Sequence, residues 1–175
     1  PESSFGTEQS VEWDTEDTQG DVNTQKFGLI RFDDIFGNGA GQIPYGSTII
    51  SAKLQYTVFN NTQNNTANVN EAAVDWNEAV TWDTFREVAG VQEEDYGALV
   101  TTAPAGALDT YEIDVMSSLV TWAADPMVNK GWIIRPTGND GVDIRSSEYS
   151  TSSERPKLTV VYLPPSTPYY LLTVD

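Results

Sequence analysis

Residues 26–60 read KFGLIRFDDIFGNGAGQIPYGSTIISAKLQYTVFN, and the fold is decided in this stretch. Phe27, Leu29 and Arg31 alternate with Gly28, Ile30 and Phe32. Further on, Ile50, Ala52, Leu54, Tyr56 and Val58 alternate with Ser51, Lys53, Gln55, Thr57 and Phe59. Period-two alternation sends each set to one face of a sheet, so both runs predict strands. The second run, about a dozen residues, is long enough to cross most of a sandwich. Leu29, Ile50 and Leu54 are expected in the core, and Lys53 on the polar face. The segment 36–45 between them carries Gly37, Gly39, Gly41 and Pro44 and reads as a loop.

Outward from that stretch, short strands are expected at 10–15, 67–76, 110–115, 130–136, 142–149 and 157–163, with turn-forming residues between most of them. Asp114 is placed to cap a short helix whose apolar face holds Val115, Leu119 and Trp122, ending at Pro126. Residues 86–106 form a long acidic excursion of low periodicity, read as a loop across a sandwich end. Residues 60–68 form a polar turn with glycosylation sequons at Asn60 and Asn64. Regular short strands with turns predict an all-β fold, an antiparallel β-sandwich of jelly-roll type with one short helix. The expected divisions are a sandwich over 1–163, a proline-rich linker over 164–168 and a terminal β-strand over 169–175.

The chain has 175 residues, enough for one domain with its own core. Its 26 acids against 9 bases give a net charge of −17. That balance argues against nucleic acid and against anionic membrane surfaces, both of which call for a basic footprint. With no cysteine and no histidine, disulfides, thiol chemistry and imidazole chemistry are absent. No apolar run is long enough for membrane insertion. The abundance of Thr, Asn and Ser with few bases suits an extracellular or cell-surface protein, and a start at Pro1 without methionine reads as processed or excised.

Several segments together resemble DNRLRE-type domains, which are appended to secreted bacterial and archaeal proteins. They are GLIRFDDIF, IPYGSTIISAKL, VDWNEAVTW, the GW..RP strand, VDIRSSE and the closing RPKLTVVY, in that order, covering about residues 6–162. The resemblance implies a jelly-roll-like sandwich and a non-catalytic role, with acidic polysaccharides such as alginate among the suggested ligands. It also implies core positions for Trp76 and Trp82. Two features depart from the family pattern. Its Ser-Arg-Glu appears here as Ser146-Ser147-Glu148 with the arginine at Arg145, and its opening strand has no counterpart before Pro1.

Candidate site residues follow from chemistry. Aromatic faces stack on sugar rings, so Trp13, Trp132 and Tyr45 are candidate platforms, while Trp122 is expected in the core. Arg31, Lys53, Arg135 and Arg145 lie on predicted strands and would bind uronate carboxylates if they converged; ion pairs with neighbours such as Asp33 or Glu148 are the alternative. No cofactor is required by this reading. Calcium, which takes six to eight oxygens, is a candidate metal through Asp33, Asp34 and Asn38 or through Asn139, Asp140 and Asp143, although neither set has the spacing of a known calcium loop. Carboxylate pairs of the kind a glycosidase uses are unspecific in so acidic a chain.

The end of the sequence carries a further signal. Tyr169, Tyr170, Leu171, Leu172, Thr173 and Val174 form an uncharged, β-prone run behind the stiff PPSTP linker, and such a run needs a pairing partner. It would fold back into its own sandwich, enter the next identical subunit head-to-tail, or begin a following domain. The leading expectation is a non-enzymatic extracellular module binding polysaccharide or matrix. The alternative is a filament subunit assembled by strand donation, and a polysaccharide-active enzyme is the distant third.

Overall fold

The computed structural model describes residues 3–15, 25–61, 66–138 and 141–166. Nine strands are formed by these residues: β1 (Ser10–Trp13), β2 (Gly28–Ile30), β3 (Thr48–Asn61), β4 (Ala67–Ala72), β5 (Tyr96–Ala103), β6 (Thr110–Asp114), β7 (Trp132–Pro136), β8 (Val142–Arg145) and β9 (Lys157–Leu163). One helix, α1 (Met116–Ala124), follows β6. The strands make two antiparallel sheets. One has the order β1-β8-β3-β6 with β9 also paired to β3, and the other has the order β2-β7-β4-β5. This is an all-β sandwich, and strands β1 to β8 follow the alternating order of a jelly roll.

The long strand β3 organises the first sheet. Its first half pairs with β9, from Thr48 opposite Leu163 to Gln55 opposite Lys157, and its second half pairs with β8. On its other side it pairs with β6. Ala52, Leu54, Tyr56 and Val58 point inward and are fully buried, as the alternation predicts. Across from them lie Trp132 and Ile134 of β7 and Val69 of β4, and α1 closes one end with Leu119 and Trp122. The Asp114 carboxylate accepts the Met116 N–H at 2.9 Å and so fixes the start of α1. That hydrogen bond, reinforced by Lys53 at 3.3 Å, holds its carboxyl below the ordinary aspartate range.

Three expectations are corrected. Ile50 is not core: the β3–β9 register shifts between Ile49 and Ser51, so Ile49 is buried in its place and Ile50 is 47% exposed. A bulge adds one residue and reverses the facing before it. Leu29 belongs to a second apolar cluster, with Phe27, Val74, Trp76, Phe85 and Ile133, separate from the main core. Alternation on β2 and β7 turns these side chains away from Ile30, Trp132 and Ile134. Third, the acidic excursion is not all loop, because Tyr96–Ala103 is a strand paired with β4.

Candidate functional site

Strands β1 and β2 lie on the same side of the sandwich, one in each sheet, and meet at Asp14 and Lys26. There the backbones exchange two hydrogen bonds, Lys26 N–H to Asp14 O at 2.9 Å and Asp14 N–H to Lys26 O at 3.1 Å. The Lys26 ammonium closes the junction on Glu12 at 2.7 Å. At Gly28 the strands still approach closely, since a Cβ there would be 3.0 Å from Val11 Cγ1. A cleft of about 710 Å³ lies along the two strands, with Val11, Phe27, Leu29, Trp76, Trp82 and Phe85 in its walls.

The covering wall is the segment between β4 and β5, and specific contacts hold it. The Trp76 indole N–H donates to Lys130 O at 2.8 Å. Arg31 donates to Trp76 O at 2.9 Å, its guanidinium 5.1 Å above the Trp76 ring. Phe27 and Trp82 pack with ring centres 6.2 Å apart, and the Gly90 N–H donates to Trp82 O at 2.7 Å. Gly90, with φ of 79°, lies so close to the Trp82 ring that a side chain at this position has no room. The buried Asp95 carboxylate accepts the Gln92 N–H at 2.8 Å and faces Arg86 at 3.5 Å. The N-terminal segment forms another wall: Ser4 donates to Glu78 O, and Ser146 donates to Glu8 O at 2.6 Å.

What the cleft offers is apolar surface beside strand edges. Among the described residues, the β2 ladder is made with β7 alone and the β1 ladder with β8 alone. Such edges are templates for further main-chain pairing. No protein-family model and no curated protein sequence matches this chain.

The proposed platforms are corrected by burial. Trp13 is 1% exposed and packs edge-on against Tyr56, with ring centres 6.2 Å apart. Trp132 is 0% exposed, 4.8 Å from Trp122, and its N–H donates to Ser118 Oγ at 3.0 Å. Neither ring has a face free for a sugar. Trp76 and Trp82, expected in the core, are partly exposed and line the cleft. Trp122 is core, as expected. Tyr45 is 53% exposed but away from the cleft lining.

The bases are engaged one by one instead of converging. Arg31 has Asp33 at 2.8 Å from Nε as well as Trp76, and Lys53 has Asp114. Arg135 lies 3.8 Å over the Tyr96 ring, with Asn70 at 3.5 Å. Arg145 is held between Phe59 at 3.7 Å and Tyr149 at 3.9 Å and pairs with Glu154 at 3.3 Å. Of the four, only Arg31 reaches the cleft.

Among the described residues, no group of three or more acids converges as a metal site would need. The loop holding Asp33, Asp34 and Asn38 is filled by Gln42, which accepts the Gly39 N–H at 2.8 Å and donates to Asp34 O at 3.0 Å. Asp143 accepts from Asn60 at 2.7 Å. Asn139, Asp140, Asn64 and the strand-exchange residues Tyr169, Tyr170, Leu171, Leu172, Thr173 and Val174 lie outside the described residues.

Sequence reasoning missed the cleft. Its signal lies in Phe27 and Leu29, apolar on the face opposite Gly28 and Ile30. A strand apolar on both faces is covered on both. The cover is the segment 76–91.

Proposed function

We propose that this chain is a non-catalytic extracellular module whose cleft takes in an extended, apolar stretch of polypeptide as an added β-strand. The observation that carries the reading is an apolar cleft running beside β1 and β2, each laddered on one side only among the described residues. Strand addition draws affinity from main-chain hydrogen bonds and selectivity from pockets for alternate side chains. The cleft supplies both kinds of contact. The resemblance to DNRLRE-type domains supports the non-catalytic part of this reading and not the polypeptide occupant. A polysaccharide is the weaker fit: Trp13 and Trp132 are buried, and the four bases named for uronates are each engaged by an acid or a ring instead of converging, with Arg31 alone at the cleft.

The test is a binding comparison on the full chain, followed by tryptophan fluorescence. Apolar β-prone hexapeptides should shift the emission, and Val80→Asp, which puts a charge in the cleft lining, should weaken the shift at least tenfold. Uronate oligosaccharides should leave it unchanged. A shift caused by the oligosaccharides and not by any peptide would refute the reading.

A further inference from the structure

We propose that the strand entering the cleft is residues 169–174 of a second copy of this chain, so that copies join head to tail. This rests on the strand-accepting reading of the cleft and adds the identity of the occupant.

Reach is the first argument. Among the described residues around β9, Pro156 alone lines the cleft. From there β9 runs away, its far end at Leu163 opposite Thr48, about 20 Å along the strand. The described chain continues to Ser166, with Pro165 beside Gly46 at that far end. From Ser166 to Tyr169 there are three residue steps, which span at most about 10 Å. A strand over 169–174 that starts this close to the β9 end would not lie along the chain's own cleft, so a neighbour's cleft is the one it would enter.

Side-chain character is the second argument. In an extended strand Tyr170, Leu172 and Val174 share one face, and Tyr169, Leu171 and Thr173 the other. A run apolar on both faces suits a cleft with sheet on one side and the segment 76–91 on the other. Its length, about 20 Å when extended, matches the 26–32 stretch along the cleft. The run has no charge, so it enters a chain of net charge −17 without repulsion at the joint.

The surface where the tail departs is the third. Tyr45, Ile50, Val161 and Leu163 are exposed there, around the β3–β9 end. At the cleft, Phe5 is 69% exposed. Head-to-tail joining brings these two apolar surfaces together. Donor surface and acceptor surface are different, so the contact is heterologous and continues into a filament.

Complementation between two full-length variants is the test. Leu171→Asp/Leu172→Asp spoils the donor and leaves the cleft; Val80→Asp, with Val91→Asp as a second choice should the first misfold, spoils the cleft and leaves the donor. The native chain should form large assemblies in light scattering and filaments in electron micrographs. Each variant alone should be a monomer, and an equimolar mixture should stop at a one-to-one dimer. Assembly that survives the donor change, or a mixture that stays monomeric, overturns the inference. The broader reading is judged separately on the donor variant. If unrelated apolar hexapeptides bind its cleft while the peptide TPYYLLTVD does not, only the occupant is wrong; if no peptide binds, both fall.

Discussion

Replacing Trp132 separates a core tryptophan from a ligand platform. The indole is fully buried, packs at 4.8 Å on Trp122 and at 6.4 Å edge-on to Phe32, and hydrogen-bonds Ser118 at 3.0 Å. Trp132→Ala leaves a large cavity, and core changes of this kind cost about 3–5 kcal/mol. Against a domain stability of about 5–15 kcal/mol, that is a large share. The hydrogen bond can be isolated with a double-mutant cycle. Ser118→Ala strands the buried indole N–H at about 1–3 kcal/mol, while Trp132→Phe removes the N–H together with part of the ring volume. With both changed, no donor is left orphaned, so the double variant should be more stable than the sum of the single effects by about 1–2 kcal/mol. Urea unfolding followed by circular dichroism reads these differences; with a slope of about 1–3 kcal/mol per molar, each kcal shifts the midpoint by roughly 0.3–1 M. A Trp132→Ala chain with an unchanged midpoint would refute the packing argument and return the ring to the surface.

Further outcomes follow from other sites. Gly131 has φ of 76° and lies against the Ile30 carbonyl, so Gly131→Ala should lower stability by more than about 1 kcal/mol, measured by calorimetry. Arg145→Lys keeps the charge but loses the flat stack between Phe59 and Tyr149, so it should recover less than half of the thermal shift caused by Arg145→Ala. Burial, with the neighbouring Tyr111 adding to it, pushes the Tyr56 phenol far above its ordinary value. The folded state then holds a proton that the unfolded state releases near pH 10, so this contribution is intact below about pH 10 and is lost as pH rises above it. Tyr56→Phe should flatten the alkaline fall in stability, at the cost of the 2.6 Å bond to Pro104 O, as read from urea midpoints between pH 8 and 11.

Alternation made most of the sandwich legible. Ala52, Leu54, Tyr56 and Val58 face the core because one face of β3 is buried along most of its length. It failed at Ile50, where a bulge that no residue type announces reverses the facing. It failed again at Tyr96–Ala103, an edge strand with a mostly exposed or half-exposed surface and so no apolar stripe to betray it. The tryptophans show the larger limit. Trp13 and Trp132 lie on strands and Trp76 and Trp82 on a loop, yet the first pair is core and the second lines the cleft. Local pattern gives the face of an element; which face another segment covers depends on long-range contacts such as Trp76 to Lys130.

The central claim is that β1 and β2 gain a strand, and amide hydrogen exchange tests it most directly. Peptic fragments covering residues 8–13 and 26–32 should exchange at least tenfold more slowly in the native chain at assembling concentration than in the Leu171→Asp/Leu172→Asp variant, while the β3 core stays equally protected in both. Equal exchange in those two fragments, with assembly confirmed by light scattering, would contradict the account.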